Sequence, residues 1–360
     1  MAYTTIDDPT AYFQANLHNG DGGTGQTLTF DGNSDLQLDF HWARCRSEAG
    51  REWQVIDTVR GITKGLTTVT TATEYTEAKY VTAIGSDGYS IGQNNDNNKA
   101  NETYVSYNWK TGTSVSGNTT GSGTAKAYSG SVNTTPGFSI IKYVGNGTEG
   151  HTIPHHLGAI PQMLIIKNLS ATTSWVVYHH KNTSAPATDI LRLDTTAATA
   201  DDASMFNDTV PTSTVFTLGS TSSCNSNGAS YVCYAFSEKQ LYSKFGSYEG
   251  NNNANGTFVY TGFSVGWVMI KNIDTSGTAW VIQDSKRSSS GGGNSADKRL
   301  RANATNAEET DSAVDLLSNG FKIRSTGSFT SDANTFIYMA FAENPFVTST
   351  DNGSIPATAR

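Results

Sequence analysis

The stretch Gly262-Phe263-Ser264-Val265-Gly266-Trp267-Val268-Met269-Ile270-Lys271 decides how this chain is read. A short apolar run, opened by glycine and closed by lysine, predicts a buried β-strand. Two other stretches share its shape. One is Gly158-Ala159-Ile160-Pro161-Gln162-Met163-Leu164-Ile165-Ile166-Lys167, and the weaker one is Leu38-Asp39-Phe40-His41-Trp42-Ala43-Arg44-Cys45-Arg46. Aligned on Phe40, Met163 and Trp267, they lie 123 and 104 residues apart, far beyond the length of a solenoid unit. Intervals of that size predict repeated small domains strung along the chain.

A second set of strands supports the repeat. Tyr104-Val105-Ser106-Tyr107-Asn108-Trp109-Lys110, Tyr231-Val232-Cys233-Tyr234-Ala235-Phe236-Ser237-Glu238 and Phe336-Ile337-Tyr338-Met339-Ala340-Phe341-Ala342-Glu343 align on Trp109, Phe236 and Phe341. Each lies 69, 73 or 74 residues after its lysine- or arginine-ended partner. Between them, Trp175-Val176-Val177 matches Trp280-Val281-Ile282, and Leu191 to Asp194 matches Leu300 to Asn303. Gly88-Tyr89-Ser90-Ile91 likewise matches Gly320-Phe321-Lys322-Ile323. Short β-branched and aromatic runs between turn residues predict an all-β chain of tandem β-sandwich domains, jelly-roll or concanavalin-like, in three related repeats.

The expected division follows from these landmarks. Residues 27–112, 136–242 and 243–347 are the three sandwiches, and the Gly/Ser/Thr-rich residues 113–135 are a linker. Residues 1–26 do not match the repeats. With Ala11-Tyr12-Phe13-Gln14-Ala15 and the glycine-rich Asn19 to Gly25, they read either as an attachment segment or as an N-terminal strand and loop. Residues 348–360 form a C-terminal tail.

Bulk properties narrow the function. The 360 residues carry a formal charge of −8, which disfavours nucleic acid and anionic membranes as partners. No apolar run reaches the length of a membrane span. The N-terminus has neither the basic nor the apolar region of a secretory signal, so the expected compartment is a cytosol or what lysis releases from it. Cys45, Cys224 and Cys233 do not make a disulfide framework, and Cys233 reads as a small core residue.

Candidate chemistry is sparse. His155-His156 and His179-His180 are adjacent pairs, whose rings point to opposite faces of a strand and do not chelate one ion. Glu308-Glu309 with Asp311, and Asp201-Asp202, are the densest acidic clusters, and solvated loops are their expected setting. Neither supplies two carboxylates facing across a cleft. Gln93 to Glu102 lacks calcium-loop spacing. Gly145-Asn146-Gly147 and Gly291-Gly292-Gly293 do not lead a strand into a helix, as a phosphate loop would. No metal, cofactor or catalytic residue is expected. Among Trp42, Trp53, Trp109, Trp175, Trp267 and Trp280, Trp53 stands in a charged loop and is the expected exposed aromatic for a glycan.

Phe40-His41-Trp42-Ala43-Arg44, Asp57-Thr58-Val59-Arg60-Gly61, Ser86-Asp87-Gly88-Tyr89, Tyr104 to Lys110, Tyr143-Val144-Gly145-Asn146-Gly147, Trp267 to Lys271 and Met339-Ala340-Phe341-Ala342-Glu343 together resemble a family of β-rich virion proteins of tailed, marine-type bacteriophages. The resemblance covers nearly everything beyond about residue 27. It implies a non-enzymatic tail-fibre or tail-associated protein, assembled in the host cytoplasm and located in the virion, that displays β-sandwiches for host attachment. Alternatives are a capsid decoration or head-fibre protein, and a glycan-binding or polysaccharide-degrading tailspike. The implied partners are other copies of the chain, with a trimer favoured, other virion proteins through the N-terminal region, and host surface glycans.

Overall fold

The computed structural model describes residues 4–288 and 293–345. The expected tail, residues 348–360, and most of Gly291-Gly292-Gly293 lie outside the described residues. The chain is all-β, and the four-residue Ala203–Phe206 is the α-helix among the described residues.

Twelve strands form a scaffold of three blocks. The first block holds β1 (Phe13–Asn19), β2 (Phe40–Cys45), β3 (Gln54–Asp57) and β4 (Thr103–Trp109). The second holds β5 (Phe138–Val144), β6 (Met163–Asn168), β7 (Val176–His179) and β8 (Ser230–Phe236). The third holds β9 (Ser243–Glu249), β10 (Phe263–Asn272), β11 (Val281–Asp284) and β12 (Thr335–Pro345). The spatial order is the same in each, namely β1-β4-β2-β3, β5-β8-β6-β7 and β9-β12-β10-β11.

The registers coincide as well. Across the first block, Phe13, Trp109, Phe40 and Asp57 stand in one row. The corresponding rows are Phe138, Phe236, Met163 and His179, and Ser243, Phe341, Trp267 and Asp284. The lysine-ended strand therefore occupies the same inner position, between the closing strand and its partner, in every block.

Period-2 alternation explains why these strands are apolar throughout. In β6, Met163 and Ile165 face a core shared by all three blocks, while Leu164 and Ile166 face a core private to the second. In β10, Trp267 and Met269 face the shared core, and Val268 and Ile270 the private core of the third. In the first block a separate three-stranded sheet, containing Gly25–Leu28 and Tyr89–Gly92, contributes Leu28, Tyr89 and Ile91 to the private core with Ile56. The first block thus has two layers, while the third is one eight-stranded sheet whose strands enclose its private core.

At the centre the three closing strands meet. Trp109, Phe236 and Phe341 form a triangle with ring centroids 6.5, 6.2 and 5.5 Å apart. These are the positions that the sequence alignment places in register. The blocks are consequently not beads on a string, because each lends one sheet face to a common core. Ring pairs in edge-to-face and tilted geometry add to the area they bury.

Two expected boundaries are corrected. The Gly/Ser/Thr-rich residues 113–135 are not a linker. Thr113–Asn118 and Ala127–Asn133 are strands that extend the second block's sheet beyond β5. Small residues there serve an exposed edge hairpin rather than a flexible tether. The expected N-terminal attachment segment also contributes to the repeat through β1, Phe13–Asn19. β1 pairs with β4 along its whole length, and Phe13 stacks on Phe341 at 5.2 Å.

The repeated signal in that N-terminal stretch is His18-Asn19-Gly20, matching Tyr143-Val144-Gly145 and Tyr248-Glu249-Gly250. His18, Tyr143 and Tyr248 each stack on the closing strand, with ring centroids 4.9, 5.1 and 5.1 Å from Tyr104, Tyr231 and Phe336. The glycine two residues later runs against backbone. A Cβ on Gly20, Gly145 or Gly250 would sit 2.1, 2.5 or 1.9 Å from a carbonyl oxygen, so no side chain fits.

A shared core predicts one cooperative unfolding transition rather than three, checked by comparing calorimetric and van't Hoff enthalpies. Phe236→Ala, at the triangle, is expected to lower the stability of the whole chain by about 3–5 kcal/mol in urea titrations. Separate transitions for the blocks would contradict the common core.

Candidate functional site

The blocks close on one another in a single rotational sense. Trp53, Trp175 and Trp280 each stand four residues before Asp57, His179 and Asp284, the equivalent row positions. Each indole reaches the neighbouring block. Trp53 Nε1 donates to the Arg301 carbonyl at 2.7 Å, Trp175 Nε1 to Thr67 at 2.8 Å, and Trp280 Nε1 to Arg192 at 3.0 Å. The first block thus holds the third, the third the second, and the second the first.

Trp53 is therefore not an exposed sugar platform. It is fully buried, stacked near Tyr107 and Trp42, under the Arg44 guanidinium. The charged residues before it pair with one another and with Lys99 and Asp96. The spacing to Asp57 was the signal that groups it with Trp175 and Trp280.

Two further junction contacts follow the same rotation. Tyr107 Oη donates to Asp284 at 2.6 Å and Tyr234 Oη to Asp57 at 2.7 Å. Each aspartate also holds a buried arginine three residues on. Arg60 pairs with Asp57 at 2.5 Å and Glu74 at 3.2 Å; Arg287 pairs with Asp284 at 2.6 Å and Glu308 at 3.0 Å. This explains the Asp57-Thr58-Val59-Arg60-Gly61 motif as a junction clamp, whose buried charges are satisfied by pairing. In the second block His179 and Asn182 replace the pair. His179 lies 3.2 Å from the Tyr338 carbonyl, and burial pushes its pKa down to about 3.

The residues ending the core strands act alike. Arg44 donates to the Arg301, Ala304 and Asn306 carbonyls, and Lys167 to Thr71 and Thr173. Lys271 donates to Thr278 within its own block. Burial lowers both lysines to about 8.

Beside the clamp, the row position after His179 or Asp284 opens a groove between blocks. The groove between the second and third blocks measures about 710 Å³ and is lined by Gln162, His180, Lys181, Glu238, Lys244 and Tyr260, among others. Its counterpart between the third and first blocks measures about 240 Å³, lined by Gly266, Ser285, Lys286, Glu343, Gln14 and Asp31, among others. The two are equivalent by register, since the His180 amide bonds the Gln162 carbonyl as the Ser285 amide bonds that of Gly266. Lys181 corresponds to Lys286, and Glu238 to Glu343. At the third junction the corresponding residues are Thr58, Val59 and Thr111, with Asp39 accepting from Thr58 Oγ1 and the Thr111 amide. No lysine–glutamate combination exists there.

The remaining sequence candidates are structural. His155 and His156 bond Thr212 and Tyr128, and His180 bonds the Phe245 carbonyl. Glu308, Glu309 and Asp311 do not lie in a solvated loop. They take up Arg46, Arg287, Arg299 and Arg301 in ion pairs at the first–third junction and beside it. Asp202 caps the short helix Ala203–Phe206. In Gln93 to Glu102, Asn97 and Asn98 are buried and bond Lys79, Tyr80 and Asp21. Cys45, Glu48 and Glu102 come within 4.8 Å of one another. Lys99 and Arg51 already occupy those carboxylates, so the set does not suit a cation. Cys45, Cys224 and Cys233 are free and buried.

Burial of neutral histidines has a consequence for acid stability. Burial holds His41 at about 4 and His179 at about 3, against 6.5 for an exposed ring. Below pH 6.5 the unfolded chain takes up protons that the folded chain refuses, so their stabilisation is lost as pH falls. Stability should drop by about 1.4 kcal/mol per pH unit for each such ring. Urea midpoints between pH 7 and pH 5 check this, and His179→Gln should flatten the dependence.

A family model described as a domain of unknown function, DUF7483, matches residues 8–345. That single match spans all three blocks and includes β1, as a shared core requires. No curated protein and no solved structure matches the chain. The chain belongs to the DUF7483 family.

Proposed function

We propose that this chain is a non-enzymatic structural protein of a bacteriophage virion, a tail-fibre or tail-associated component that presents β-sandwich lobes for host-surface attachment. The observation that carries this reading is the aromatic triangle of Trp109, Phe236 and Phe341, around which three lobes lock into one rigid body. A body of this kind holds surface loops in fixed relative positions, which is what a display platform needs. The common strand order and register support reading the lobes as three tandem copies of one jelly-roll-like sandwich.

In this reading the chain carries its threefold arrangement within itself. The apolar faces that would favour a homotrimer are covered by the other blocks, so the preference for a trimer rests on the architecture of fibres alone. Attachment to other virion proteins would use the surface near β1, since the N-terminal strand itself is embedded in the fold.

Cryo-electron tomography of virions from the encoding phage, with antibody against this chain, tests the proposal. Label on the tail or its fibres is expected. Label on the head shell would favour a capsid decoration protein, and its absence from purified particles would overturn the virion assignment.

A further inference from the structure

We propose that the groove between the second and third blocks binds a carboxylate-bearing oligosaccharide, a chain of uronic-acid type, with Lys181 taking the carboxylate and Tyr260 stacking a sugar ring. The inference rests on the attachment reading above and assigns it a place and a ligand class.

The equivalent groove between the third and first blocks shows what the lysine position receives. There Lys286 Nζ lies 2.7 Å from each carboxylate oxygen of Asp31, which the chain's own loop delivers. The Asp31 carboxylate stands in for a ligand's carboxylate, and that groove is correspondingly small. In the second–third groove no carboxylate of the described residues meets the equivalent lysine. Lys181 is exposed and has no ion-pair partner among the described residues.

A second donor points the same way. Asn182, beside Lys181, is 1% exposed, and its Nδ2 has no hydrogen-bond partner, while its Oδ1 accepts from Thr199. It lines a further depression of about 410 Å³ that shares Lys181 and Ser247 with the main groove. A buried amide donor left unpaired is unfavourable. A ligand oxygen along the trough would relieve that.

The remaining lining selects for a sugar chain rather than for a lone anion. Two depressions that share Lys181 and Ser247 suit a ligand of several rings. Gln240, Ser243 and Ser247 supply an amide and hydroxyls. On its rim, Tyr260 is 61% exposed, and Phe258 on the same face of its strand is 45% exposed. Side chains two apart on a strand stand roughly 6.6 Å from each other, giving two adjacent flat platforms for the apolar faces of sugar rings. Glu238, held by Lys244 at 2.7 Å and by the Phe245 amide, remains as an acceptor for sugar hydroxyls. The hydroxyls, amides and charged groups that line the groove beside Leu241, Phe245 and Tyr338 match the mixed polar and apolar faces of sugar rings better than a run of apolar side chains.

Affinity electrophoresis of the full chain in native gels containing alginate, polygalacturonate, hyaluronate or neutral dextran tests the site. Retardation by at least one of the three carboxylate-bearing polymers, and not by dextran, is expected. The net charge of −8 works against non-specific retention by a polyanion. Lys181→Met and Tyr260→Ala, both at exposed positions, should each weaken retardation by about tenfold or more. Lys298→Met, remote from the groove, should leave it unchanged, and near-ultraviolet circular dichroism should show all three variants folded. No retardation by any carboxylate-bearing polymer, equal retardation by dextran, or an unaffected Lys181→Met variant would overturn the proposal. Preferential displacement of the protein by a polyglutamate peptide would also overturn it. Such failure would leave the virion location, read by tomography, untouched. Shortening of a polymer by the wild-type chain would instead strike at the non-enzymatic reading.

Discussion

The structure depends on three aromatic rings, Trp109, Phe236 and Phe341, that meet where the closing strands of the blocks converge. Phe236 and Phe341 belong to strands whose opposite faces are committed to the private cores of their blocks, while the opposite face of the Trp109 strand carries Tyr104 and the buried, hydrogen-bonded Ser106 and Asn108. Where both faces of a strand meet apolar cores, as in β6 and β10, the apolar run is continuous. Removing any one block would expose the shared faces of the other two. The sheets are small individually, and it is the third layer of contact at the centre that gives each a second buried surface.

Closure around this centre also needs direction, because apolar packing is non-directional. Direction comes from polar contacts repeated around the ring. The three indole-to-carbonyl bonds of Trp53, Trp175 and Trp280 all run the same way round. The tyrosine–aspartate–arginine clamps reinforce two junctions, and at the third His179 and Asn182 stand in the same places with no charge pair. A buried ion pair contributes more to defining a geometry than to net stability. Two clamps suffice for that purpose, since fixing two junctions of a closed ring fixes the remaining one.

Much of the scaffold was legible in the sequence, and the reasons are physical. The spacing of Phe40, Met163 and Trp267 against Trp109, Phe236 and Phe341 survives because strands that share a core cannot slip by a residue without turning their apolar side outwards. What misled was composition. Residues 113–135 resemble a linker because an exposed edge hairpin needs no apolar face, so Ser, Thr and Gly suit it equally well. The N-terminal stretch hid its repeat because His18 takes the stacking place held elsewhere by tyrosine. Trp53 looked exposed for a related reason. Glu48 and Arg51 pair at the surface close to it in sequence, while the indole turns inwards to a partner that lies 248 residues away.

The grooves were not legible, because each is made by two blocks and no single stretch contains one. The positions were nevertheless fixed by the repeat. Once Thr58, His180 and Ser285 are known to be equivalent, the next residues, Val59, Lys181 and Lys286, are the ones free to differ without disturbing the clamp. The framework then constrains where a difference can matter. At one junction the variable position is apolar, and at another its lysine is closed by Asp31. At the junction between the second and third blocks the lysine is left open beside exposed Tyr260. A threefold scaffold with three unlike junctions separates the task of holding together from that of recognition: the central rings and the indoles do the first in every block, and the residue after the clamp is released for the second.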